Sequence, residues 1–294
     1  MLLQALRFHA FRTLPFGVVA VLLAACNVTS DGSTGDPQSD PDSDVLGDGA
    51  RVAEVVGPAT WFSESNMTSQ GCATPRDRQV RITGQTIVAV DRYDETGDGA
   101  LGNIYVQDVA TAGEAPVPFS GLTVFSPSFT PPDLRVFEGD VVDTFGNLIE
   151  FLGPTSPFGG CRTLPEIGGA MSLRFDAAPA EPATIVTAGT DPTRFDPIKG
   201  YPNARQWIGM LVRIEGVTLT ENGVDDGKGR YTAGFDIGGG ITGDDIVKIS
   251  NELFDMKGLG PTLTQGAQFK AVTGVFTYFY GFKIAPRSAE DFEL

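Results

Sequence analysis

The chain has 294 residues, of which 41% are hydrophobic and 20% charged, and a net charge of −16. This composition excludes a disordered chain, and the length allows one large or two medium domains with proper cores. An acidic body repels phosphate at long range, which argues against strong non-specific nucleic-acid binding.

The chain begins with an address. Arg7, His9 and Arg12 precede an apolar run from Leu14 to Ala25. A basic stretch followed by about a dozen apolar residues is an export signal, too short to span a bilayer as a helix. Leu23-Ala24-Ala25-Cys26 resembles the lipobox of bacterial lipoproteins. The resemblance implies a signal peptide over residues 1–25, cleavage before Cys26, and lipidation of the Cys26 thiol and new amino group. The partner at this end is then a membrane, held through acyl chains worth ~0.8 kcal/mol per buried methylene. Asn27 is not acidic, which favours the outer membrane over the inner within the bacterial cell envelope. Residues 26–50 are read as a disordered acidic tether, because Ser, Thr, Gly, Pro and Asp cannot bury enough surface to fold.

From Arg51 on, short β-branched and aromatic runs are separated by turn residues, and long 3.6-period stripes are rare. The chain is expected to be all-β. Val80-Arg81-Ile82-Thr83-Gly84 returns as Val212-Arg213-Ile214-Glu215-Gly216, so one β unit is used twice. In the first unit, strands are expected over 78–91, 103–108, 121–125, 139–152 and 161–167. In the second they are expected over 210–220, 230–237, 246–250, 269–280 and 282–285. Three strands, a connector and two more strands is the order of an OB-fold barrel. The expected architecture is two tandem OB-fold-like five-stranded Greek-key barrels, over 51–176 and 206–294, joined by a linker over 177–205. Ser288 is placed to cap one helical turn, with Phe292 packing back.

Several stretches are similar to the OB-fold-like regions of exported bacterial proteins. They are Tyr105-Val106-Gln107-Asp108, Gly139-Asp140-Val141-Val142, Gly209-Met210-Leu211-Val212 and Ile284-Ala285-Pro286-Arg287. Some of those regions precede the catalytic domain of secreted nucleases. Only Glu293 and Leu294 follow Phe292, so nuclease activity is not carried over.

Of the three cysteines, Cys72 and Cys161 remain after lipidation of Cys26. An even pair in an exported protein is expected to form a disulfide. The only histidine, His9, leaves with the signal peptide. Ser–His and Cys–His nucleophiles and His-containing zinc sites are thereby excluded from the mature chain.

Asp94, Thr96, Asp98 and Gly99 resemble the start of a calcium loop, but Tyr105 stands where a twelfth-position Glu is needed. A polar hairpin loop is the favoured reading, with Ca²⁺ as the alternative. Rings carry the binding signal, because OB barrels bind chains across their second and third strands. The candidates are Tyr105, Tyr231, Tyr278 and Tyr280, with Arg81 and Arg92 supplying charge, whereas Phe125 and Phe235 read as core. The expected function is a non-catalytic cell-envelope binding or scaffold module whose partner is a protein, a glycan or extracellular nucleic acid. The alternatives are a single-stranded nucleic-acid binder and a carboxylate-dependent hydrolase needing two acids in a concave site.

Overall fold

Two β-sheets hold about half of the described residues. The computed structural model describes residues 45–57, 72, 78–97, 101–111, 113–129, 136–154, 158–186, 201–236 and 247–294. The expected signal peptide and Cys26 lie outside these residues.

The first sheet comprises β1 (Val45–Ala50), β2 (Arg78–Val90), β3 (Ile104–Asp108), β4 (Gly121–Phe129), β5 (Asp140–Phe151) and β6 (Leu164–Ala177). Its order is β1-β2-β3-β4-β6-β5, and β5 pairs β2 again. All neighbours are antiparallel except β4 with β6 and β1 with β2. Val45–Ala50, the end of the stretch read as tether, is therefore strand. A short helix, Val52–Val56, follows it, and the Asp108 carboxylate accepts the N–H groups of Val52 and Ala53 at its start.

The second sheet comprises β7 (Ala183–Val186), β8 (Leu211–Leu219), β9 (Val224–Asp225), β10 (Tyr231–Asp236), β11 (Lys248–Ser250), β12 (Gln268–Tyr278), β13 (Phe282–Ala285) and β14 (Phe292–Glu293). The pairings β8-β10-β11-β13-β12 return to β8 and close a five-stranded barrel, with β11 and β13 parallel. This topology is compatible with an OB-like fold. β7 adds to β8 in parallel, so part of the stretch read as linker belongs to this sheet.

The repeated motif has a backbone reason. Gly84 and Gly216 end the two copies at φ +70° and +68°, a region where a Cβ is costly. At Gly84 the pairing of β2 with β5 also slips between Ile82 and Gln85. Both opening strands thus bend at the same point, as a strand wrapped into a closed sheet must. β6 outruns its expected end at Ile167 and reaches Ala177, still paired with β5. Gly146 and Gly169 allow this close approach: a Cβ on Gly146 would lie 2.1 Å from the Gly168 carbonyl oxygen.

Alternate residues point inward. Val80, Ile82, Ile104, Val106, Leu122, Val124, Leu148 and Ile167 build the first core. Val212, Ile214, Phe235, Ile249, Phe276 and Ile284 build the second. Cys72 and Cys161 form the expected disulfide, with Cα atoms 5.1 Å apart. The tail also follows its sequence: Ser288 Oγ accepts from Glu290 N–H, and the Phe292 ring centroid lies 5.4 Å from that of Phe269.

The sheets meet over a third cluster that mixes both, including Val88, Tyr105, Leu211, Leu253 and Val275. Gln107 Oε1 accepts Leu211 N–H at 2.8 Å, and Phe119 N–H donates to the Gln206 carbonyl at 2.8 Å. A buried ion pair, Arg205 Nη2 to Glu150 Oε1 at 2.7 Å, ties the segment before β8 to β5. Thr163 Oγ1 donates to the other oxygen of Glu150, and the Tyr201 hydroxyl donates to the Thr163 carbonyl.

Candidate functional site

The strand period places one row of side chains on the face of the first sheet opposite its core. Tyr105 pairs with Thr123, Thr123 with Glu166, and Glu166 with Ile149, across β3, β4, β6 and β5. Phe125, Leu164 and Phe151 lie two residues along these strands and share the face. The segment after β2 contributes Asp91 and Glu95. From the second sheet come Thr277 near the end of β12 and Phe279 just past it, Arg230 before β10 and Glu252 after β11. Together they line a cleft of about 620 Å³.

Its walls are aromatic and aliphatic, yet four carboxyl groups line it, with Arg230 the one cation among the lining residues. Glu166 is 8% exposed, and among the described residues its carboxyl has no hydrogen-bond or ion-pair partner. Burial raises it from 4.5 to about 7. Asp91 is 9% exposed, and its Oδ1 is buried without a partner among the described residues. Burial, reinforced by the charge of Glu95, raises it from 3.8 to about 7. Burial also raises Glu95, and pushes the Tyr105 hydroxyl well above its ordinary value. Glu252 is paired with Lys283 Nζ at 2.6 Å.

The Phe279 ring forms one boundary. Lys283 Nζ stands 5.3 Å and the Arg230 guanidinium 5.8 Å from its centroid. On its other side lies a groove of about 360 Å³ lined by Arg230, Thr232, Lys248, Tyr280 and Lys283. Tyr280 stands at the hairpin tip, 53% exposed, in the left-handed region at φ +52°. A non-glycine residue held there is uncommon.

The expected site residues are dispersed. Tyr105 is in the cleft wall and 8% exposed rather than on an open stacking face. Tyr231 is half-buried, with Lys257 Nζ 5.9 Å from its ring. Tyr278 is 2% exposed, packed edge-on against Phe158, Tyr201 and Phe282. Tyr278 shares the inward face of β12 with Val272 and Phe276 and belongs to the same core, whereas Val275 on the other face packs toward the first sheet. Arg81 is exposed on β2 opposite Phe145. Arg92 donates to the Val136 carbonyl at 2.6 Å and sits 5.2 Å over the Phe137 ring, away from the cleft lining. The Phe125 reading is corrected: it is 52% exposed on the cleft face, whereas Phe235 is core as expected. Asp94 Oδ1 accepts Gly97 N–H at 2.8 Å, the bond of a polar turn. Asp98 lies outside the described residues. Among the described residues, no three Cys, Asp or Glu side chains converge as a metal site.

Asp91, Glu95, Glu166 and Glu252 were not singled out from the sequence. One signal was present: Glu166 interrupts Leu164-Pro165-Glu166-Ile167, an acid inside an apolar strand. No protein-family model matches the chain, and no curated protein matches it at a significant level.

Proposed function

We propose that this protein is an exported, lipid-anchored module of the bacterial cell envelope, built from tandem OB-fold-like barrels, that binds its ligand without chemistry in the cleft between them. Lipidation at Cys26 attaches it, with the outer membrane favoured, and the acidic segment holds the body off the bilayer. The observation that carries the binding role is the cleft: about 620 Å³, aromatic on several sides, with two buried carboxyl groups facing it. That is the size and lining of a small-ligand site. A fragment screen by ligand-observed NMR on the full chain tests it. Ile149→Trp fills the cleft and is expected to abolish the hits; hits that survive this change would remove the cleft as the site. Incorporation of labelled palmitate, lost in Cys26→Ala, tests the anchor.

A second reading rests on the groove of Arg230, Lys248, Lys283 and Tyr280, beside the second and third strands of the closed barrel. Cations next to an exposed ring suit single-stranded nucleic acid. It predicts affinity for oligo(dT) that weakens steeply with salt. Flat binding curves at low salt would remove it. The hydrolase alternative draws on the same raised Asp91 and Glu166. Release of reducing ends from envelope polysaccharides, lost in Glu166→Gln, would establish it over a purely binding role.

A further inference from the structure

We propose that the cleft receives an organic cation, a protonated amine or guanidinium carried on an apolar or aromatic body, with Glu166 and Asp91 taking the charge. This deepens the cleft-binding reading and rests on it. Glu166 and Asp91 are each more than nine-tenths buried and line the cleft. Asp91 keeps a hydrogen bond from the Tyr93 backbone, but its Oδ1 is buried without a partner, and among the described residues no cation pairs with either carboxyl. A buried carboxylate without a partner is costly, so a ligand that supplies the missing positive charge gains what the free protein lacks.

The cations already nearby are committed. Lys283 pairs with Glu252 at 2.6 Å, and Arg230 stands 3.9 Å from Asp226 with its guanidinium over Phe279. Their ion pairs go to Asp226 and Glu252 rather than to Glu166 or Asp91. An anion would enter against four carboxyl groups. A divalent metal needs several convergent oxygens, and among the described residues none converge in threes. The carboxyl groups are instead spread along an apolar wall, which fits a ligand whose charge and body are separate. Tyr105, Phe125, Phe151 and Phe279 offer that body aromatic surface. Phe279 already holds two protein cations near its ring, so the rings here favour positive charge.

The test uses three matched probes on the full chain at mildly alkaline pH: 4-phenylbutylamine, 4-phenylbutanol and 4-phenylbutyrate. Affinities are measured by calorimetry, with ligand-observed NMR for weak binders. The amine is expected to bind about tenfold or more tighter than the alcohol, and the acid weakest of all. Glu166→Gln is expected to lower amine affinity about tenfold while leaving the alcohol unchanged. Asp91→Asn provides an independent second variant, and circular dichroism confirms that each is folded. Equal affinity for amine and alcohol would overturn the cation assignment and leave the cleft-binding reading standing. Amine binding unchanged in both carboxyl variants would do the same. Binding of none of the three, or binding that survives Ile149→Trp, would overturn the cleft itself.

Discussion

Glu166→Gln changes one atom pair and removes a charge the fold holds at a cost. Burial raises the Glu166 carboxyl from 4.5 to about 7. At ~1.4 kcal/mol per tenfold change in proton affinity, that gap corresponds to about 3 kcal/mol. The native state therefore binds this proton more tightly than the unfolded chain does. The stabilising contribution is fully present below the unfolded value near 4.5. It is lost as pH rises through about 7. Glutamine keeps the shape and carries no charge at any pH. The variant is thus expected to match the parent within about 1 kcal/mol in mild acid, and to exceed it by about 3 kcal/mol in mild alkali. In a chain of this size that amounts to a Tm rise of roughly 6–10 °C. Urea denaturation of the unliganded protein at both pH values, followed by intrinsic fluorescence, measures it. The same stability difference at both pH values, or a loss in alkali, would refute the burial argument.

Three further outcomes are expected. Arg205→Met leaves the Glu150 carboxylate buried without its cation, and is expected to cost about 3–5 kcal/mol by urea denaturation, with Glu150→Gln in the same chain recovering most of it; a loss under about 1 kcal/mol would show the pair is not desolvated. Replacing Cys72 and Cys161 by serine is expected to lower stability by about 4 kcal/mol, because the bridge closes a separation of 89 residues; unchanged urea midpoints under oxidising conditions would count against it. Amine affinity is expected to rise roughly tenfold or more from mild acid to mild alkali as Asp91 and Glu166 ionise near 7. Glu95, Asp94 and Glu252 bear on Asp91 and keep it protonated longer. Calorimetry in buffers of differing ionisation enthalpy should also detect protons released on binding; a flat profile would remove the carboxyl role.

The strands were legible because alternation is local. Val80, Ile82, Val212 and Ile214 face inward as the period requires. Ser288 marked the cap, whereas Gly84 and Gly216 were read only as the ends of a repeat, and their left-handed φ shows the bend. The cleft was not legible, because its lining comes from residues 91 to 279 and meets only when both sheets have formed. Alternation gives two faces but does not say which is covered by a neighbour. Phe125 was read as core but lies on the face of β4 opposite the core residue Val124 and is 52% exposed, and Tyr278 was read as a candidate surface ring but shares the inward face of β12 with Phe276. The end of the acidic stretch misled differently: Val45 and Leu46 find a partner in β2, a pairing partner over 30 residues away that composition does not announce.

Docking explains why the face beyond the first core is apolar at Tyr105, Ile149, Phe151 and Leu164. Left uncovered, it would be a sizeable exposed patch. It does not explain the acids among those residues. A contact shaped for stability alone would place Leu or Met at Glu166, since replacing unpaired buried charge with apolar side chains is commonly stabilising. Among the described residues the second sheet brings no cation to Glu166, although Arg230 lines the same cleft and Lys283 neutralises Glu252. The same protein thus pairs one cleft carboxyl with its own cation and leaves two without one. Where a fold keeps a costly group that its own packing does not satisfy, the compensating charge is sought outside the chain.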